Sequence, residues 1–212
     1  MKKIISGGTG EFTDKKSRFI ANIYHIEDED MAVKIIEQLR KKYWDARHNC
    51  YAYVLGDKSE IQRFSDDGEP SGTAGKPILE VITGNECGNC LCVVTRYFGG
   101  VLLGTGGLIR AYTNAAKDAL SACRIGELTE GVHAFLDVDY NYVGKVQYIC
   151  AQNDITIVNT EYADGVTFEL MMENAARNIL EKNMTEMSSG KIYLRDICSM
   201  QMYRDDIGKL CR

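Results

Sequence analysis

The sequence predicts two consecutive α+β domains within 212 residues. Three observations predict them. The first half mixes strand-like runs with three helix-period runs. The second half gives strand and helix signals in the order β-α-β-β-α-β, the split β-α-β arrangement. Between the halves, Arg124 to Ala134 (RIGELTEGVHA) reads as a linker. The domains are accordingly expected at 1–128 and 134–198, followed by a loosely held tail at 199–212.

The first half opens on a hairpin-like stretch, with Glu11-Phe12-Thr13 and Arg18 to Ile26 around a polar turn at Asp14-Lys15-Lys16. A helix follows over about Asp28 to Lys42, with the apolar stripe Ala32, Ile35, Ile36, Leu39 and Tyr43. Acid at its start and base at its end (Arg40 to Lys42) suit the helix dipole. Cys50 to Leu55 and Ile61 to Phe64 read as paired strands around Gly56-Asp57. Pro77 suits the first turn of a short helix over Lys76 to Thr83. Leu91 to Tyr97 reads as a buried strand, and Leu108 to Ser121 as the last helix of this half.

In the second half, Phe135 to Tyr140 is a strand and Val143 to Gln152 a helix. Ile155 to Tyr162 and Val166 to Met172 flank an Ala163-Asp164-Gly165 turn, a hairpin signal. Ala175 to Met187 is a helix with Ala175, Ala176, Ile179, Leu180, Met184 and Met187 on one face, and Lys191 to Ile197 closes the set. This is the ferredoxin-like order.

Bulk properties narrow the function classes. The net charge of −5 argues against wholesale coating of nucleic acid, while leaving room for a local basic patch. No signal peptide and no apolar run long enough to cross a bilayer is seen, so a cytoplasmic location is expected, with no membrane partner. Eight cysteines in a chain of this size are expected to be reduced and mostly buried. Cys87-x-x-Cys90-x-Cys92 lacks the second ligand pair of a structural zinc site, and its strand spacing fits small core residues, so no metal is expected.

The chemistry-bearing signal is glycine. Five glycines fall among the nine residues from Gly99 to Gly107, after an apolar strand and before a helix. That arrangement lets backbone N–H groups face an anion. Arg96 and Arg110 flank it, and a second loop, Gly72-Thr73-Ala74-Gly75-Lys76, lies upstream. Neither loop meets the dinucleotide or Walker A pattern, and no hydrolase elbow or His-Glu-x-x-His occurs. The anion or nucleic-acid candidates are Lys76, Arg96, Arg110, Gly99, Gly100, Gly104, Gly106 and Gly107, with Arg47 and His48 secondary because no acid is identifiable beside the histidine. Arg96 and Arg110 are expected to be exposed, and the two loops to meet in one groove. The dense acids Asp66, Asp67 and Glu69 read either as turn residues or as metal or proton carriers of an enzyme acting on a small phosphorylated substrate. A pure protein-interaction module is a third reading.

Four stretches together resemble one family: Lys16-Ser17-Arg18-Phe19-Ile20, Ala46-Arg47-His48-Asn49-Cys50, SDDGEPSGTAGKPIL from Ser65 to Leu79, and TRYFGGVLLGTGGLIRAY from Thr95 to Tyr112. They are similar to the YigZ/IMPACT family, over Lys15 to about Leu120, and the second half is similar to the C-terminal domain of bacterial YigZ-like members. The resemblance implies that the first domain has the fold of the second domain of a small-subunit ribosomal protein, and that the second is ferredoxin-like. It implies a role in regulation of translation, since eukaryotic relatives regulate translation initiation. The expected partners are RNA, the ribosome or a protein of the translation apparatus. The resemblance implies no established enzymatic activity and no cofactor.

Overall fold

The computed structural model describes residues 2–56, 58–205 and 207–211. It divides into two compact units, residues 1–126 and 127–212. Asp57 of the expected Gly56-Asp57 turn, and Asp206 and Arg212 of the expected tail, lie outside the described residues.

In the first unit the elements run β1 (Lys2–Ser6), β2 (Thr9–Asp14), β3 (Ser17–His25), α1 (Glu29–Lys42), β4 (His48–Leu55), β5 (Ile61–Ser65), α2 (Gly75–Gly84), β6 (Cys87–Gly88), β7 (Cys90–Tyr97) and α3 (Gly104–Ser121). Five strands form an antiparallel sheet in the order β2-β3-β7-β4-β5, and β1 pairs in parallel with β6. Side chains alternate across a strand. Along β7, Cys90, Cys92 and Val94 face the core shared with α2 and α3, whereas Leu91 and Val93 join the cluster built on α1. The sheet is thus covered on both faces, which explains the unbroken apolar run of β7. Cys87, Cys90 and Cys92 are all core residues, and no cysteine is in a disulfide. α1 starts where Asp28 caps it, its side chain accepting from the Met31 N–H at 2.6 Å.

The last helix departs from the sequence reading. It begins at Gly104, four residues before the expected Leu108. Glycine is a poor helix former, so the pattern hid the first turn. Gly104, Gly106 and Gly107 therefore belong to a helix N-terminus, and the true loop is 98–103.

The second unit contains most of β8 (Arg124–Val138), then α4 (Val143–Gln152), β9 (Thr156–Tyr162), β10 (Val166–Met172), α5 (Asn174–Ser188), β11 (Leu194–Asp205) and β12 (Leu210–Cys211). Its strand order is β12-β11-β8-β10-β9. Val146, Ile149 and Cys150 of α4 and Leu180 and Met184 of α5 share one core with Leu136, Phe168 and Leu170. Ala175 and Ile179, expected on the buried face of α5, are exposed. Two segments read as irregular are strand. The expected linker, Arg124 to Ala134, lies wholly within β8, and the expected tail from Ser199 onward supplies the end of β11 and β12. Met202 and Leu210 there are buried together with Met171. Strands with one polar face carry too few apolar residues to show as an apolar run. No helix among the described residues is long and apolar enough to cross a membrane.

Candidate functional site

The Ser65–Gly75 segment between β5 and α2 is organised by its own acids. The Asp66 carboxylate accepts backbone N–H bonds from Gly72 (2.9 Å), Ala74 (3.0 Å) and Gly75 (2.8 Å). It thereby satisfies donors at the start of α2 that no other side chain caps. Asp67 sits at a left-handed φ of +43° and turns its carboxylate back into the sheet. It accepts from Arg40 Nη2 at 2.7 Å and from the Asn49 backbone N–H at 2.6 Å. Glu69 is buried, and its Oε1 accepts from Arg96 Nη1 at 2.5 Å and from the Tyr112 hydroxyl at 2.8 Å. The three acids expected as metal or proton carriers are thus each bonded to partners within the chain.

His48 is the first residue of β4. Its Nδ1 lies 2.8 Å from the Asp67 carbonyl oxygen, which can only accept, so Nδ1 carries the proton. In the neutral ring Nε2 is then an acceptor. It lies 4.0 Å from Glu69 Oε1. The sequence offered no acid for His48; the fold brings one in from 21 positions away in the chain.

Arg96 is only 5% exposed, contrary to the expectation of an exposed cation. Pairing with Glu69 neutralises it. Its guanidinium lies between the Phe19 and Phe98 rings, 5.5 Å from each centroid, and its Nε has no hydrogen-bond partner among the described residues. Tyr112, which sequence reasoning placed only in a helix stripe, donates its hydroxyl to Glu69 and lies 3.3 Å from the Cys50 Sγ. Burial pushes both the Tyr112 hydroxyl and the Cys50 thiol well above their usual ranges.

Above this buried network is a cavity of about 360 Å³. It is lined by Arg47, His48, Gly68, Glu69 and Pro70 from the start of β4 and the loop before α2, and by Arg96, Phe98, Leu102, Leu103, Gly104, Thr105 and Leu108 from the end of β7 to the start of α3. The two motif-rich loops do face one cavity, but not through the residues expected. Gly68 to Pro70 serve in place of Gly72 to Lys76, and Gly99, Gly100, Gly106, Gly107 and Arg110 are absent from the lining. Lys76 is exposed on the first turn of α2. Arg110 is exposed and bonds Asp14 at 3.2 Å. Arg47 is exposed at the cavity edge, and its side chain has no partner among the described residues. Gly99 is structural: a Cβ there would come within 2.1 Å of the Lys16 carbonyl carbon, and its N–H donates to Ser17 Oγ at 3.1 Å. At the start of α3, Leu103 provides no side-chain cap. Phe98, Leu102 and Leu103 were missed; a phenylalanine and two leucines inside a glycine-rich stretch were the available signal.

Comparison with known proteins accounts for both halves. A family model for the Impact N-terminal domain matches residues 15–120, and one for a domain of unknown function (DUF1949) matches residues 136–191. The IMPACT family member YvyE of Bacillus subtilis (strain 168) is 38% identical over 191 residues, 89% of this chain and 87% of its own length. The IMPACT family member YigZ of Escherichia coli (strain K12) is 36% identical over 182 residues, 85% of this chain and 89% of its own. A solved structure described as the crystal structure of a hypothetical protein covers 91% of this chain and 95% of its own, with 34% identity and a TM-score of 0.58. With the same family matched in the half that carries the cavity and in relatives spanning nearly the whole chain, this protein belongs to the IMPACT/YigZ family.

Proposed function

We propose that this protein is a cytoplasmic regulator of translation that binds RNA, free or within the ribosome, through the face of its first unit around the cavity. The carrying observation is the convergence there of the two longest family motifs, with Arg47 exposed and unpaired among the described residues at the edge. Family membership supports the link to translation, because the resemblance implies that eukaryotic members regulate its initiation. Lys76 and Arg110, both exposed, supply further cations on the same unit, and Gly104 and Gly106 leave the start of α3 open to close approach. The fold assignments follow the same reading. The first unit corresponds to the second domain of a small-subunit ribosomal protein. The second is ferredoxin-like, supported by its β-α-β-β-α-β order and by β8 and β10 as its central strands. A metal-dependent enzyme acting on a small phosphorylated substrate is the weaker reading, because Asp66, Asp67 and Glu69 are already engaged by backbone N–H groups and arginines.

The test is a filter-binding titration of the full chain against single-stranded RNA and ribosomal particles over a salt series. Binding weakens as salt rises, because phosphate contacts release counterions. The Arg47→Ala, Arg110→Ala double variant binds more weakly, and its salt slope falls by about 0.7 for each phosphate that an arginine no longer neutralises. Parent protein that binds neither probe at low salt, or a double variant indistinguishable from the parent, overturns the proposal.

A further inference from the structure

We infer that the cavity receives one unstacked nucleobase of a single RNA strand, with the adjoining phosphate held outside by Arg47. This rests on the RNA-binding reading and names what that site takes in. The argument is one of charge and shape. Inside, the buried cation and the carboxylate of the lining, Arg96 and Glu69, are bonded to each other. A phosphate pushed inside would meet the Glu69 carboxylate beside an arginine already neutralised. A purely apolar ligand would leave His48 Nε2, an acceptor in the neutral ring, without a partner. A neutral flat ring with polar edges meets neither objection. Its faces fit the apolar residues of the lining, of which Phe98 is 40% exposed and Leu102 82% exposed. Its N–H edge fits His48 Nε2, an acceptor in the neutral ring.

The edge of the cavity has the opposite character. Arg47 is exposed and unpaired among the described residues, and Gly104 and Thr105 bring the uncapped start of α3 to the same edge. A neutral ring inside with an anion at the edge is the chemistry of a nucleotide. An extended single strand presents it, whereas a duplex keeps its bases stacked away from side chains.

The test uses the full chain and two fluorescently labelled probes of equal length. One is a single-stranded RNA of mixed sequence; the other is the same ribose-phosphate strand without bases. Anisotropy titrations at one salt concentration should show the base-bearing strand bound roughly fivefold or more tightly, the loss expected for one stacked base. Phe98→Ala should abolish that preference and leave the abasic strand unaffected. Leu102→Ala, at a position exposed enough to spare the fold, should reduce it in the same sense. Equal binding of both strands by the parent, or a preference unchanged in both variants, overturns the base pocket while the RNA-binding reading stands. Failure of the parent to bind either strand overturns both.

Discussion

Arg96 Nη1 and Glu69 Oε1 lie 2.5 Å apart with both side chains almost fully removed from solvent. They come from β7 and from the loop before α2, so the pair ties the cavity floor to the sheet. Breaking a buried pair leaves one charge unpartnered, which typically costs about 3–5 kcal/mol. Arg96→Ala and Glu69→Ala are each expected to lose that much stability in denaturant unfolding. The Arg96→Met, Glu69→Leu double variant should recover much of the loss, because no lone charge remains.

Asp66 is the cap of α2. Asp66→Ala removes the acceptor of three backbone N–H groups and is expected to destabilise the first unit by about 2 kcal/mol, at the upper end for a helix cap. Asp66→Asn keeps one amide oxygen and should lose less. Thermal melts of the two variants beside the parent provide the ranking; equal melting temperatures for parent and Asp66→Ala would contradict the capping role.

Two glycines of one motif are expected to respond in opposite directions. Gly99→Ala would drive a Cβ against the Lys16 backbone, a clash only a shift of the chain can relieve, so a loss of about 1–3 kcal/mol is expected. Gly106 lies in a helix with open space where its Cβ would be. Gly106→Ala should therefore raise stability by up to about 1 kcal/mol. If that glycine also admits an RNA backbone, the same variant binds the filter-assay RNA more weakly while being more stable.

The acid limb of stability has a specific contributor. Burial first, and then the positive charge of Lys3, hold the His25 imidazole below its usual 6.5. The unfolded chain thus takes up this proton more readily than the folded one. The contribution is complete above pH 6.5 and is lost as pH falls through the lower folded value. Asp137, held low by its hydrogen bonds to Arg195 and Thr167, acts in the same sense further down, below its usual 3.8. The urea midpoint is expected to fall as pH drops below 6.5, and His25→Gln should flatten that fall while leaving in place the further loss from Asp137 below the usual carboxylate range.

How far the sequence reached differs from element to element. The α1 helix was legible because Ala32, Ile36 and Leu39 recur at helical spacing between an acidic start and a basic end. The β2–β3 turn was legible because Asp14-Lys15-Lys16 is a polar break between apolar runs, and Lys15 and Lys16 do take positive φ. The start of α3 was not, because three glycines mask a helix turn. In the candidate site, Arg47, His48, Arg96 and Gly104 reach the cavity, but Lys76 and Arg110 do not. The role of Arg96 was hidden for a definite reason. Glu69 is 27 positions away, and a charged residue in a sequence carries no mark of whether a distant loop will bury and neutralise it. Nor does local periodicity reveal that His48 hydrogen-bonds Asp67 across the same gap between loop and strand.

The Ser65–Gly75 segment is held by Asp66 to its own end, by Asp67 to Arg40 and Asn49, and by the Cys50 thiol, which donates to the Asp66 carbonyl at 2.9 Å. A free loop of this kind loses roughly 1–2 kcal/mol of backbone entropy per residue when a ligand orders it. Here that ordering accompanies folding instead, so a partner meets a wall whose shape already exists. Association at this face should then require no slow rearrangement of the segment, and its selectivity should come from a rigid outline rather than from a loop that closes over whatever arrives.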